Sequence, residues 1–343
     1  MQLRSKAAAL IAASLICLPA IASARTQIRA VGSSTVYPFA TAVAERLARA
    51  NPGMQPPVIE STGTGGGMKL FCAGVGENFP DIENASRRIK ASEVKLCAQN
   101  GVSQITEIQV GIDGIAFAEA ASAPLGVLTQ RDIYMALAKT PFGKPNKAKT
   151  WKDVNPKLPA IPIKVYGPPP TSGTRDAFGE LIMTPPCEAN AAMAALKKSD
   201  EAKFKAICTG LREDGGYVEA GENDNLIVQK VATDPGTLGV LGYSYLADNA
   251  DKVRPVQIGG VTPTEETIAN LSYPGARKLY VYIKGEHLAA KPKLRDFVTQ
   301  YSKMWSKDGP LERVGLVPFA GADADSAAKQ ANDLKPLDPS TLK

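Results

Sequence analysis

The sequence predicts an α/β protein of two lobes, each a mainly parallel sheet flanked by helices, with a ligand in the cleft between them. Three observations carry this. Short apolar strands alternate with amphipathic helices along most of the chain, the rhythm of a parallel α/β sheet. The 343 residues are enough for two such units, each with its own core. No linker, internal repeat or low-complexity stretch separates the units, so extended segments must cross between them. A ligand in such a protein sits at the carboxyl ends of the strands, where helix N-termini point.

The chain opens with a segment that does not belong to the fold. Arg4 and Lys6 precede an apolar run over residues 7–21, and Ala22-Ser23-Ala24 follows. This reads as a secretory signal peptide over residues 1–24, with the mature chain starting near Arg25. A lipoprotein signal through Cys17 is the alternative, but Ser14-Leu15-Ile16 lacks the small residues expected before a lipidated Cys. No other apolar stretch is long enough to span a membrane.

The elements then follow in order. Residues 28–32 form a buried strand ending in Gly. Val36, Phe39, Ala40, Val43 and Leu47 share one helical face; Pro38 is tolerated in the first turn and Pro52-Gly53 stops the helix. A strand over 57–60, a Gly-rich turn and a helix through Met68, Leu70, Phe71 and Cys72 come next. A third strand over 81–85 leads into Ser86-Arg87-Arg88 and a helix over 92–99.

Residues 105–119 alternate apolar positions around Asp113-Gly114 and begin a second rhythm. It comprises a helix over 130–138, a strand over 161–166, the turn Thr171-Ser172-Gly173-Thr174-Arg175 and a helix over 175–183. A helical stretch over 187–209, a helix over 225–233 and a Gly-rich strand over 236–245 complete it. Strands over 256–258 and 278–283, helices over 292–305 and 323–332, and a polar tail from 334 close the chain. Crossings placed near 110–113 and 245–251 divide it into a first lobe of residues 25–112 and 246–343 and a second lobe of residues 113–245.

Past the signal peptide four cysteines remain, Cys72, Cys97, Cys187 and Cys208. They allow three connectivities. The pairs of sequence neighbours, Cys72–Cys97 and Cys187–Cys208, would each close a loop of about 20 residues and contribute ~3 kcal/mol, and export makes oxidation plausible. Their spacings are too long for a four-thiolate metal site. The net charge is +6, of which Arg4 and Lys6 supply two, leaving the mature chain near +4. No basic run alternates with aromatics, which argues against nucleic acid as partner; a mild positive balance suits an anionic ligand.

Three turns carry the functional signal. Ser33-Ser34-Thr35, Thr62-Gly63-Thr64-Gly65-Gly66-Gly67 and Thr171 to Arg175 each stand where a strand hands over to a helix. Hydroxyls and backbone N–H groups at a helix N-terminus make an oxyanion site. A single such turn is only a cap, but three hydroxyls in a row at 33–35 exceed the need of one cap. The Gly-rich turn fits neither a Walker A motif nor G-x-G-x-x-G. Its glycines permit close backbone approach to a ligand, and they equally suit a tight turn without one.

Arg87 and Arg88 supply cations at a strand end, one of which reads as solvated. Arg175 sits in a first helical turn against the dipole preference, which an anion would explain. Asp113 is either a turn carboxylate or an acceptor for a protonated ligand oxygen. Hydrogen phosphate carries such a proton and sulfate does not, so an acidic wall would discriminate between them. Catalysis finds little support: the one histidine, His287, lies in a polar stretch and reads as exposed, and no G-x-S-x-G or H-E-x-x-H occurs.

Taken together, Val31-Gly32-Ser33-Ser34-Thr35-Val36-Tyr37-Pro38-Phe39, Gly63-Thr64-Gly65-Gly66-Gly67, Asn84-Ala85-Ser86-Arg87 and Thr171-Ser172-Gly173-Thr174 occur in an order that resembles the periplasmic phosphate-binding proteins of bacterial phosphate ABC importers. The stretch Tyr273-Pro274-Gly275-Ala276-Arg277-Lys278-Leu279-Tyr280-Val281-Tyr282 is similar to that family too. The resemblance implies a Venus-flytrap fold of the periplasmic-binding-protein type, closing on one dehydrated phosphate in the periplasm. It implies delivery to the transmembrane subunits of an ABC permease, often with a link to phosphate sensing. A monomer without cofactor, metal or catalysis is expected.

By position the resemblance makes Ser34, Thr35, Thr64, Ser86, Arg87, Ser172, Gly173 and Thr174 the ligands. Two departures stand out. Arg87 occupies a place where many members have Asp, and residues 168–171 replace an Arg and an Asp. Arg87 and Arg175 would restore the positive charge and Asp113 the missing acceptor. Rival readings are a carrier of sulfate, molybdate or a phosphonate, a secreted phosphatase-like hydrolase with a Ser nucleophile, and an adhesin or signalling protein on the same fold.

Overall fold

The computed structural model describes residues 27–170, 172–221 and 223–342. The expected signal peptide, Cys17 and Thr171 lie outside the described residues.

The first lobe starts with three parallel strands, β1 (Arg29–Gly32), β2 (Val58–Ser61) and β3 (Ile82–Ala85), in the order β2-β1-β3. Helix α1 (Tyr37–Ala50) connects β1 to β2, and α2 (Thr64–Phe71) connects β2 to β3. The apolar stripe of α1 buries Phe39, Ala40, Val43 and Leu47 against the sheet, while Pro38, in the first turn, costs no hydrogen bond there. Helix α3 (Ala91–Gln99) follows β3.

Strand β4 (Ile105–Ala120) is sixteen residues long and belongs to both lobes. The second lobe adds β5 (Val165–Gly167), β6 (Tyr217–Glu219), β7 (Leu238–Gly242) and β8 (Val253–Pro255), and β9 (Ala276–Lys284) returns to the first. Residues 105–114 of β4 pair antiparallel with β9, which also pairs antiparallel with β3. From Ile115 onward β4 pairs antiparallel with β7 and β8 instead. Beyond it β5 lies parallel to both β7 and β6. One nine-stranded sheet thus runs through the molecule, and the partner change between Gly114 and Ile115 marks the passage between lobes. Each lobe is a parallel trio closed by antiparallel strands, so the sheets are more mixed than expected.

The return passage lies later than residues 245–251. β8 pairs with Ala118–Ala120, the short strand Gln257–Ile258 pairs with Val127–Leu128, and pairing with the first lobe resumes only at Ala276. The stretch read as a crossing is largely the helix Tyr243–Asp248, whose Leu246 packs with Ile227 and Val253 of the second lobe. Apolar burial holds residues 246–255 there.

Each lobe has its own core. Phe39, Leu47, Val281, Phe297 and Tyr301 anchor the first; Phe117, Tyr134, Trp151 and Phe178 anchor the second. Cys72–Cys97 and Cys187–Cys208 are disulfide-bonded, one in each lobe. His287 is buried, not exposed: its Nδ1 lies 2.7 Å from Asp81 Oδ1, and its Nε2 accepts from Gly76 N at 2.8 Å. The polar stretch around it folds inward because Asp81 needs partners, and Lys291 Nζ supplies another at 2.9 Å.

Candidate functional site

The first turn begins where β1 ends. Ser33 N donates to Asn84 O, and Ser33 Oγ accepts from Thr35 N at 3.1 Å. Ser33 is therefore the capping residue of the three hydroxyls. The other two reach across the cleft. Ser34 Oγ donates to Asp176 Oδ2 at 2.6 Å, and Thr35 Oγ1 donates to Gly173 O at 3.0 Å. Thr35 Oγ1 also accepts from Arg277 Nη2 at 2.7 Å. Each hydroxyl has one proton, so both protons are committed to the opposite lobe. The backbones meet closely here: a Cβ on Gly173 would lie 2.4 Å from Thr35 Cα.

The second turn builds a donor cluster. Gly63 has φ 69°, and α2 starts at the next residue, so its first-turn N–H groups have no intrahelical acceptor. Thr64 Oγ1 and Ser86 Oγ are 3.0 Å apart, and Ser86 N donates to Thr64 Oγ1 at 3.1 Å. One hydroxyl bond uses one of the pair's two protons and leaves the other for a ligand. Both residues are buried. Beneath them lies Glu83, fully buried on β3 with no hydrogen bond to either carboxylate oxygen. Burial drives its carboxyl well above the ordinary range, the charge of Glu93 adds to this and Arg87 opposes it. A Cβ on Gly67 would fall 2.2 Å from Glu83 Oε2, which accounts for the last glycine of the loop.

The third turn starts α4 (Gly173–Ala177), with Ser172 Oγ accepting from Thr174 N at 3.2 Å. Arg175 is held by three features: Nη1 donates to Pro168 O at 3.1 Å, Glu219 lies 3.7 Å away, and the guanidinium stacks 4.6 Å from the Tyr217 ring. Arg87 is held elsewhere, in a two-pronged bond to Glu93 at 2.7 and 2.9 Å.

Two adjoining cavities open between the lobes at these turns. The smaller, about 270 Å³, is walled by Ser33, the α2 N-terminus and Ser86 on one side and by Arg175, Asp176, Glu180 and Lys205 on the other. The larger, about 460 Å³, is walled by Ser34, Thr35, Asp113, Ser172, Gly173 and Thr174, with Asp224. They meet at the Ser34–Asp176 bond. Each cavity has two carboxylates, Asp113 and Asp224 in the larger and Asp176 and Glu180 in the smaller, but only the smaller adds two cations, Arg175 and Lys205, and the donor cluster. An anion fits the smaller one.

The expected residues therefore divide. Thr64, Ser86 and Arg175 share the smaller cavity. Ser34, Thr35, Ser172, Gly173 and Thr174 line the larger one and the seam. Asp113 also lines the larger, where Arg277 Nε donates to its Oδ2 at 3.3 Å. Burial pushes the Asp113 carboxyl up, the charge and hydrogen bond of Arg277 pull against this, and Glu180 adds to the rise. Arg87 lines neither cavity, because Glu93, in the first turn of α3, captures it first. Sequence reasoning missed Asp176, Glu180, Lys205 and Arg277. Asp176 directly follows the turn Thr171 to Arg175, but Arg277 owes its place to the register that sets it opposite Asp113.

Comparison with known proteins agrees with this architecture. A family model described as a PBP superfamily domain matches residues 19–301. Protein SphX of Synechococcus elongatus is 35% identical over 331 residues, covering 94% of this chain and 86% of its own. The phosphate-binding protein PstS of Staphylococcus saprophyticus is 31% identical, over 90% of this chain and 85% of its own. A crystal structure of a possible phosphate binding protein from Planctomyces limnophilus is similar with TM-score 0.72 and 28% identity, covering 90% of this chain and 98% of that one. An ABC-type phosphate transport receptor from Vibrio cholerae, at TM-score 0.59 and 18% identity over 85% of this chain and 100% of its own, shares the fold. The chain belongs to the PBP superfamily.

Proposed function

We propose that this protein captures inorganic phosphate between its lobes and delivers it to the membrane subunits of an ABC importer, as a periplasmic monomer without catalytic activity. The observation that carries this reading is the smaller cavity. Its donors come from both lobes: the α2 N-terminus, Thr64 and Ser86 from one, Arg175 and Lys205 from the other. Burying a dianion is costly unless every oxygen is hydrogen-bonded. A shell split between two lobes is complete only when they close, and the closed form is what a permease can recognise. The PstS relatives and the Planctomyces structure are named for phosphate binding, which agrees with this.

Asp176 takes the acceptor role expected of Asp113. It stands on the wall of the cation-bearing cavity, where it accepts one bond from Ser34, whereas Asp113 lines the other cavity and is engaged by Arg277. A carboxylate there accepts from the proton of hydrogen phosphate and repels sulfate, which has none. A hydrolase finds no support from the one histidine. His287 is committed to Asp81 and Gly76, away from both cavities, so no imidazole serves Ser34 or Ser86 as general base.

Isothermal titration of the phosphate-stripped protein tests the reading. The expected outcome is tight one-to-one binding of phosphate that persists in a large excess of sulfate. Binding abolished by sulfate would move the function to a general oxyanion carrier, and no binding of either ion would leave only the fold. Asp176→Asn is expected to keep phosphate binding and lose discrimination against sulfate, read in the same competition.

A further inference from the structure

Arg277 touches both lobes and the strand joining them. It stands on β9 opposite Asp113, one residue before β4 exchanges its first-lobe partner for its second-lobe partner. Its guanidinium is almost completely buried, and its three contacts diverge. Nε donates to Asp113 on the crossing strand, Nη2 to Thr35 in the first lobe, and Nη1 to Glu180 on the helical segment that follows α4 in the second lobe. Thr35 passes the connection on by donating to Gly173 O. Two of these links, Arg277–Glu180 and Thr35–Gly173, join parts that separate when the cleft opens.

We propose that Arg277 and Glu180 form a latch that sets the balance between open and closed cleft, with Arg277 also holding the Thr35 hydroxyl in the direction that engages Gly173. This rests on the reading of the protein as a cleft-closing binder. The physical basis is an asymmetry between the two forms. In the closed form the planar fork of Arg277 meets two carboxylates and one hydroxyl, a set that a point charge cannot reproduce. In the open form Glu180 is carried off with the second lobe, and only Asp113 and Thr35 remain. An ion pair present in one form alone shifts the population toward that form. The apparent affinity for a ligand that needs closure shifts in proportion. Arg277 and Glu180 are positioning residues in this account.

The test uses Glu180→Gln, since the Glu180 side chain is half-exposed and its loss does not strand a buried charge. Removing a negative charge from the cavity wall would by itself tighten anion binding, so a weaker hold is diagnostic of the latch. Fluorophores on Lys95→Cys in the first lobe and Lys198→Cys in the second, both exposed positions, report the open-to-closed ratio by single-molecule energy transfer. The expected result is a rise in that ratio of about five- to tenfold, with phosphate release faster by a similar factor and the melting temperature unchanged. A ratio within twofold of wild type both with and without phosphate, or slower phosphate release, overturns the latch. A wild type that binds no phosphate overturns the transport reading instead, and the ratio in phosphate-free protein still decides the latch.

Discussion

Arg87 and Arg175 look alike along the chain, each following a hydroxyl and each near a strand end, yet their fates differ. Arg87 is paired on both prongs with Glu93, while Arg175 is braced by Pro168 O and Tyr217 at the cavity wall. Arg175→Ala is expected to weaken phosphate binding roughly tenfold or more, the scale of a charge-assisted contact. Arg87→Ala is expected to leave affinity within about twofold and to cost about 1–2 kcal/mol of stability. Titration calorimetry and urea unfolding of the two variants separate the roles. Glu83 yields a pH prediction. Burial raises its carboxyl well above the ordinary glutamate range, so between that range and its raised pKa the folded state binds more protons than the unfolded chain. Stability from this group is present at acid pH and lost as pH rises toward the folded pKa. Glu83→Gln, neutral and of the same shape, should equal the wild type near pH 4 and exceed it increasingly as pH rises; parallel urea midpoints would contradict this.

Among the elements, periodicity was a sufficient guide where burial is one-sided. The α1 stripe could be read directly because a helix packed on a sheet needs one apolar face. β4 is the opposite case: its alternation was visible, but nothing local says that residues 105–114 pair with β9 and the rest with β7 and β8. The stretch 246–255 reads as first-lobe and lies in the second for the same reason, since a short helix and a three-residue strand carry no address. The α4 start offers a test at this scale. Gly173 lies against the Thr35 backbone, where a Cβ would be 2.4 Å from Thr35 Cα. Gly173→Ala is expected to hold the cleft open and weaken phosphate binding by more than about tenfold. Small-angle scattering in saturating phosphate should show no compaction; wild-type compaction would refute the account.

For the whole molecule, two cores and two disulfides suggest lobes that unfold with some independence. The two tryptophans report on them separately, because Trp151 lies in the second core and Trp305 packs on the first. Cys187→Ser with Cys208→Ser removes the bond of the second lobe and should cost ~3 kcal/mol there. In single-tryptophan variants the Trp151 transition should move to lower denaturant while the Trp305 transition moves less. Equal shifts would mean that the continuous sheet through β4 couples the lobes fully.

The α/β rhythm, the short loops that neighbouring cysteines could close and the three hydroxyl-bearing turns are legible along the chain. These depend on patterns within a few residues, on caps and on short loop closures. Tertiary structure alone decided which turns share a cavity, that Ser34 and Thr35 bridge the lobes, and that Arg277 meets Asp113 and Glu180 across 164 and 97 residues of chain. The reason is physical: hydroxyls and guanidinium groups are interchangeable as local signals, and the register between distant strands assigns each its partner.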